Sequence, residues 1–177
     1  MIGTLLLIIY NFCRIAINKI ANPAGFKVHW IQRISPVCAL RIYDKGTIVI
    51  GRNCEFAPYC DFEAHGNGEI EIGEKTYFNR FCMISSHERV KVGSACMFGP
   101  GVKIFDNNHK YSPDKGVSCD LTTGTIEIGD RTWIGSNVIV LKGSKIGSNC
   151  VIGAGCIVRG IVPDGTVLVN KQNQEIL

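Results

Sequence analysis

The chain has 177 residues, of which 46% are apolar, 8% aromatic and 19% charged, with a mean hydropathy of +0.15 and a net charge of +4. That profile excludes intrinsic disorder and two full-sized domains, and it implies one domain with a large buried surface. The 19 Lys and Arg are scattered along the chain rather than massed in one block, so no nucleic-acid footprint is present. Nine cysteines cannot all pair within one chain, and no C-x-x-C occurs, so the close-spaced thiolates of zinc ribbons and redox motifs are absent.

The first twenty residues are apolar but broken by Asn11, Arg14, Asn18 and Lys19. They fall short of the roughly 20 apolar residues that a spanning helix needs, and neither a basic leader nor a small-residue cleavage site flanks them. Neither a membrane anchor nor a secretory signal is expected. Leu5, Ile8, Ile9, Phe12, Ile15 and Ala16 fit one helical face, which either packs on the domain and caps its end or lies on a membrane surface.

From Gly46 a repeat takes over. GTIVIG, GEIEIG and GTIEIG are near copies, closing at Gly51, Gly73 and Gly129, and weaker copies close at Gly93 and Gly147. Counting six residues twice from the aliphatic residue before each of these glycines reaches Ile50, Phe56, Phe62; Ile72, Phe78, Ile84; Val92, Phe98, Ile104; Ile128, Ile134, Val140; and Ile146, Ile152, Val158. Every one is large and apolar, and the extra residues fall only between complete sets of three. Five 18-residue rungs of a coil with three flat sides are therefore expected. Four positions after the apolar residue a small side chain recurs, as at Cys54, Cys60, Thr76, Cys82, Cys96, Thr132, Cys150, Cys156 and Val162. Six of the nine cysteines occupy that slot, and only Cys13, Cys38 and Cys119 lie outside it. Cysteine here reads as a packing residue in a narrow interior, which suits a reducing compartment.

This pattern resembles the hexapeptide-repeat acyltransferases, over about two thirds of the chain. The resemblance implies an all-β left-handed parallel β-helix. It divides the chain into an N-terminal helix and lead-in (1–40), a β-helix domain (41–163, with a loop at 105–125) and a tail (164–177). The insertions follow Phe62, Ile84 and Ile104, so they leave the coil at one corner, and His65, His87 and His109 lie in them. The longest begins FDNNHKYSPDKG and is either an irregular rung or an extruded arm.

Within it, DNNH resembles the D-x-x-H segment of sugar O-acetyltransferases of the maltose, galactoside and polysaccharide-modifying kinds. That likeness makes His109 the general base, work that suits an imidazole titrating near neutrality. Asp106 either orients that ring or starts the turn that DNN favours. Asn79, in YFNRF, matches the family position whose amide holds the acceptor hydroxyl. His87 stands where relatives acting on small sugars carry an acidic acceptor contact, which points to a different acceptor.

Trp133, Gly135 and Ser136 match the family's W-I-G-S, and Ala154 and Gly155 its G-A-G, the segments that flank coenzyme A. Corner geometry alone is sufficient for the glycines. Arg159 falls where Thr is usual and Gly160 replaces a phosphate-facing Lys, leaving Arg159 and Lys171 to meet the cofactor phosphates. The resemblance implies acetyl-CoA as donor with direct transfer, no metal and a homotrimer; the scattered charge implies no nucleic-acid partner, the cysteine pattern a cytoplasmic protein, and the first helix leaves peripheral membrane contact open. Two rivals stay open: an N-acyltransferase acting on an amino sugar, and a zinc hydratase of the carbonic anhydrase kind using His65, His87 and His109.

Overall fold

In the computed structural model, which describes residues 2–171, the chain is one helix followed by a three-sided parallel β-helix. The tail beyond Lys171 lies outside the described residues. Sheet A stacks Phe26–Val28, Thr47–Ile50, Glu69–Ile72, Arg89–Val92, Ile126–Ile128, Lys145–Ile146 and Ile161–Val162, all parallel and in register. Sheet B stacks Arg33–Ile34, Glu55–Phe56, Tyr77–Phe78, Met97–Phe98, Trp133–Ile134, Val151–Ile152 and Val167–Leu168, and sheet C stacks Ala39–Ile42, Asp61–Ala64, Met83–Ser86, Lys103–Phe105, Ile139–Leu141 and Ile157–Val158, on the other two sides.

Counted around the prism, there are six complete coils and two sides of a seventh, where the repeat led us to expect five. The additional first coil places Val28, Ile34 and Leu40 at the inward positions, six residues apart. Its hexads lack the closing glycine, which hid it. At the other end, Val162 pairs with Ile146 and so opens the seventh coil rather than filling a small-residue slot of the sixth. That corner is tightened to four residues between Val158 and Val162.

Alternation explains the core. Along each strand every second side chain points inward, so sheet A reads buried at Ile48, Ile50, Ile70, Ile72, Val90, Val92, Ile126 and Ile128. Four phenylalanines fill the middle coils. Phe78 lies face to face with Phe98 at 4.1 Å and edge-on to Phe56 and Phe62 at 5.3 and 4.9 Å, each ring contributing about 2–3 kcal/mol by burial.

At the A–B corner the small-residue slot is a hydrogen-bonded ladder. Gln32 donates to the Gly51 carbonyl at 2.7 Å and accepts from Cys54 N–H at 3.0 Å. Cys54 Sγ donates to the Gly73 carbonyl, Thr76 to Gly93, Cys96 to Gly129, Thr132 to Gly147 and Cys150 to Pro163. Thr76 and Thr132 also accept from the N–H of Cys96 and Cys150. Corner amides that parallel strands leave unpaired are thereby satisfied inside the prism. Cys38 sits in the equivalent slot of the first coil and is buried, so seven cysteines, not six, are interior packing residues.

The helix α1, Ile2–Ala21, packs across the open end of the first coil. Of the face that the sequence pattern selects, only Ile15 is buried; Leu5, Ile9 and Phe12 are exposed. The side turned to the body is instead Asn11, Arg14, Ile15 and Asn18, which carries the hydrogen bonds to the coil.

Candidate functional site

The inserted segments leave the prism at the C–A corner, as the spacing implies, and there they build a layered arrangement. Tyr43, His65 and His87 follow the sheet-C strands of the first three coils in register. Their rings stack, Tyr43 on His65 at 4.5 Å and His65 on His87 at 4.7 Å and only 4° from parallel. Tyr43 was not singled out by sequence, although it precedes His65 by the same 22 residues that separate His65 from His87.

Asp106 ends the fourth sheet-C strand and is fully buried. Its carboxylate accepts from the backbone N–H of His87 at 2.8 Å and of Glu88 at 2.9 Å, and from Asn107 Nδ2 at 3.2 Å, with Ser86 Oγ at 2.8 Å. It does not orient the His109 ring. Its oxygens are engaged by the turn of the coil below, so it fixes the corner from which the longest insertion departs.

That insertion is an extruded arm rather than an irregular rung. Asn107–Ser112 and Gly116–Thr123 form an antiparallel hairpin that packs chiefly on itself. Its register shifts between His109 and Tyr111, an irregularity of the kind that re-aims a side chain. His109 is exposed, and its Nδ1 lies 3.0 Å from the carbonyl oxygen of Ser118 on the opposite strand. A carbonyl only accepts, so in the neutral ring the proton sits on Nδ1 and the lone pair on Nε2. The group that sets the tautomer is thus a backbone carbonyl, which no side-chain motif announces. Burial, with the charges of His65 and His109 in support and Asp106 opposing, lowers the pKa of His87 and favours its neutral form.

Asn79 lies elsewhere. It follows the third sheet-B strand, at the B–C corner, and borders a cleft of about 430 Å³ with Tyr77, Arg80, Ala57 and Pro58. Two and three coils further along the same corner come Gly135 with Ser136 and Gly153 with Ala154, in register. Trp133 stands outward on sheet B beside them, 51% exposed. Gly135 is required by stacking, because a Cβ there would sit 2.7 Å from the Ala154 nitrogen. Gly155 differs: its φ is +71°, and an added Cβ would meet open space. Asn170 donates to the Gly155 carbonyl at 2.7 Å, bringing exposed Lys171 to this corner. Arg159, by contrast, follows the last sheet-C strand and belongs to the arm's corner.

The sequence-selected residues therefore fall at two corners. Asn79, Trp133, Ser136, Ala154 and Lys171 share the B–C corner; His109, His87, Asp106 and Arg159 share the C–A corner. A cleft of about 530 Å³ on sheet A contains none of them and is lined by the ion-paired ladder of Arg89, Lys91, Glu127 and Lys145. His65 and His87 stack through their faces instead of converging their nitrogens, and among the described residues no three His, Cys, Asp or Glu side chains group as metal ligands. Seven of the nine thiols are interior, and burial pushes Cys54 up to about 11 and raises Cys96.

Residues 125–160 match the family model described as bacterial transferase hexapeptide (six repeats). The chain is 42% identical over 76 residues to a galactoside O-acetyltransferase of Lactococcus lactis, covering 43% of this chain and 37% of that one. It is 35% identical over 107 residues to the putative lipopolysaccharide biosynthesis O-acetyl transferase WbbJ of Escherichia coli, covering 51% and 55%. It thus spans less than two thirds of either curated relative. Among solved structures, a galactoside acetyltransferase in complex with coenzyme A matches with a TM-score of 0.55 and 25% identity, over 79% of this chain and 60% of that one.

Proposed function

We propose, from the hexapeptide match and the similarity to sugar O-acetyltransferases, that the chain transfers the acetyl group of acetyl-CoA to a hydroxyl of a carbohydrate. The observation that carries this reading is the His109 ring, held by Nδ1 on the Ser118 carbonyl with Nε2 free on an extruded arm. The acceptor hydroxyl gives its proton to Nε2 as its oxygen attacks the thioester carbon. The resulting tetrahedral oxyanion collapses, the carbon–sulfur bond breaks, and the departing thiolate recovers the proton from His109. No acyl-enzyme forms, and the buried thiols take no part.

The open strip along the B–C corner suits the donor. Trp133 offers an exposed ring, Ala154 and Gly155 leave room beside the backbone for the pantetheine arm, and Lys171 can meet phosphate. Asn79 holds the acceptor hydroxyl, with His87 as a second acceptor contact. Since donor strip and base leave one prism at different corners, the complete site forms between copies, and a homotrimer, in which each arm serves the neighbour's groove, accommodates it. Arg159 then approaches the cofactor from the arm's side.

Acetyl-CoA consumption screened across neutral sugars, amino sugars and oligosaccharides, with His109→Ala as control, tests the reading. Turnover with hydroxyl acceptors that vanishes in His109→Ala is expected. Acetylation confined to the amine of amino sugars would replace it with the N-acyltransferase alternative.

A further inference from the structure

Helix α1 is inside out. Its polar residues face the protein: Asn11 Nδ2 donates to the Ile34 carbonyl at 2.9 Å, Arg14 to the Cys38 carbonyl at 2.7 Å, and Asn18 Nδ2 back to Arg14. Apart from buried Ile15 and the half-buried Leu7 and Ile8, its large apolar residues face away. Leu5, Leu6, Ile9, Tyr10, Phe12, Ile17 and Ile20 are all exposed, Ile20 by 82%. At 100° per residue they cover roughly half the circumference without one charge. An amphipathic helix docked on a water-soluble body has the opposite arrangement. Only 11% of the segment Thr4–Ala21 is buried, although it is long and apolar enough by composition to cross a membrane.

The surroundings continue the surface. Trp30 packs against Phe12 at 4.8 Å with Lys19 Nζ 4.6 Å over its ring, and both Trp30 and Ile31 are exposed. The charge is one-sided. Residues 1–43 contain Arg14, Lys19, Lys27, Arg33 and Arg41 and no Asp or Glu, leaving 14 basic against 15 acidic residues in the rest of the chain. Arg33 and Arg41 pair with Glu55, Asp61 and Glu63 of the second coil, whereas Lys19 and Lys27, nearer the end, have no acidic partner among the described residues.

We propose that this end of the prism docks on an anionic lipid surface, α1 lying in the plane of the interface with its outward face among the acyl chains and Lys19 and Lys27 against the headgroups. Trp30 suits the boundary because its ring is apolar on one side and polar at its N–H. Half a helix of aliphatic and aromatic residues flanked by cations and free of acids matches such a surface better than it matches a second copy, whose equivalent lysines would repel. The anchoring hydrogen bonds of Asn11 and Arg14 keep α1 on the first coil, so the membrane is touched rather than crossed.

Flotation of the full chain with vesicles of phosphatidylcholine alone, or with about 30% phosphatidylserine, tests this. Binding to the anionic vesicles is expected, weakened by salt. Ile9→Glu/Phe12→Glu should lower it at least about tenfold and Lys19→Glu/Lys27→Glu in part. These positions are exposed, so circular dichroism should stay unchanged. With Trp133→Phe, Trp30 is the sole tryptophan, and its emission should shift to the blue on binding. No binding, or binding indifferent to Ile9→Glu/Phe12→Glu, would overturn the proposal. So would self-association through this face without vesicle binding, and so would insertion that resists alkaline extraction, which means a spanning helix.

Discussion

Asp106 shows how far a motif residue can stand from the chemistry beside it. Its buried carboxylate accepts from N–H and O–H donors of the turn below, so its removal leaves several donors unpaired in the interior. Asp106→Ala is expected to cost on the order of 3 kcal/mol in urea unfolding, with Asp106→Asn milder. His87 supplies a pH dependence whose sign follows from its lowered pKa. The unfolded chain binds the proton more readily, so stability is complete above the ordinary value near about 6.5 and falls as pH drops through the lower folded value. Thermal melts of His87→Phe between pH 7 and 5 should show a shallower fall than wild type. An unchanged slope would assign the dependence to other groups.

At the scale of elements, what could be read from sequence was whatever a narrow prism repeats. The hexads of the middle coils were legible because each must place one large apolar and one small residue inward, and Phe78 and Cys96 have no freedom to be otherwise. The first coil escaped notice because Val28, Ile34 and Leu40 keep the spacing without the closing glycines. The seventh escaped because its corner is two residues short. Periodicity located the apolar face of α1 but is silent on what covers it, and here the body takes the polar face. The cysteine reading extends into a measurement: in the native protein only Cys13 and Cys119 are exposed, so two thiols of nine should react promptly with a disulfide reagent and the other seven only after unfolding. Fast modification of more than two would mean that the corners are open to solvent.

Across the whole molecule the rigid coil separates tasks by corner. Sheet A is solvated and ion-paired, the first coil carries α1, the B–C corner offers an open strip beside Trp133, and the C–A corner projects the arm with His109. The His109 side chain was legible as DNNH, but its orientation was not, because the carbonyl that sets it comes from Ser118 across a hairpin. The division of the candidate residues between two corners was equally hidden, since residues distant in sequence share a corner only after the coils are stacked. The most direct test of the account is the steady-state rate of acetyl transfer from acetyl-CoA to the preferred sugar acceptor by His109→Ala beside wild type, with matched melting temperatures. A loss in kcat/KM of about 10²-fold or more is expected, and a variant that folds normally and retains a rate near wild type would contradict it.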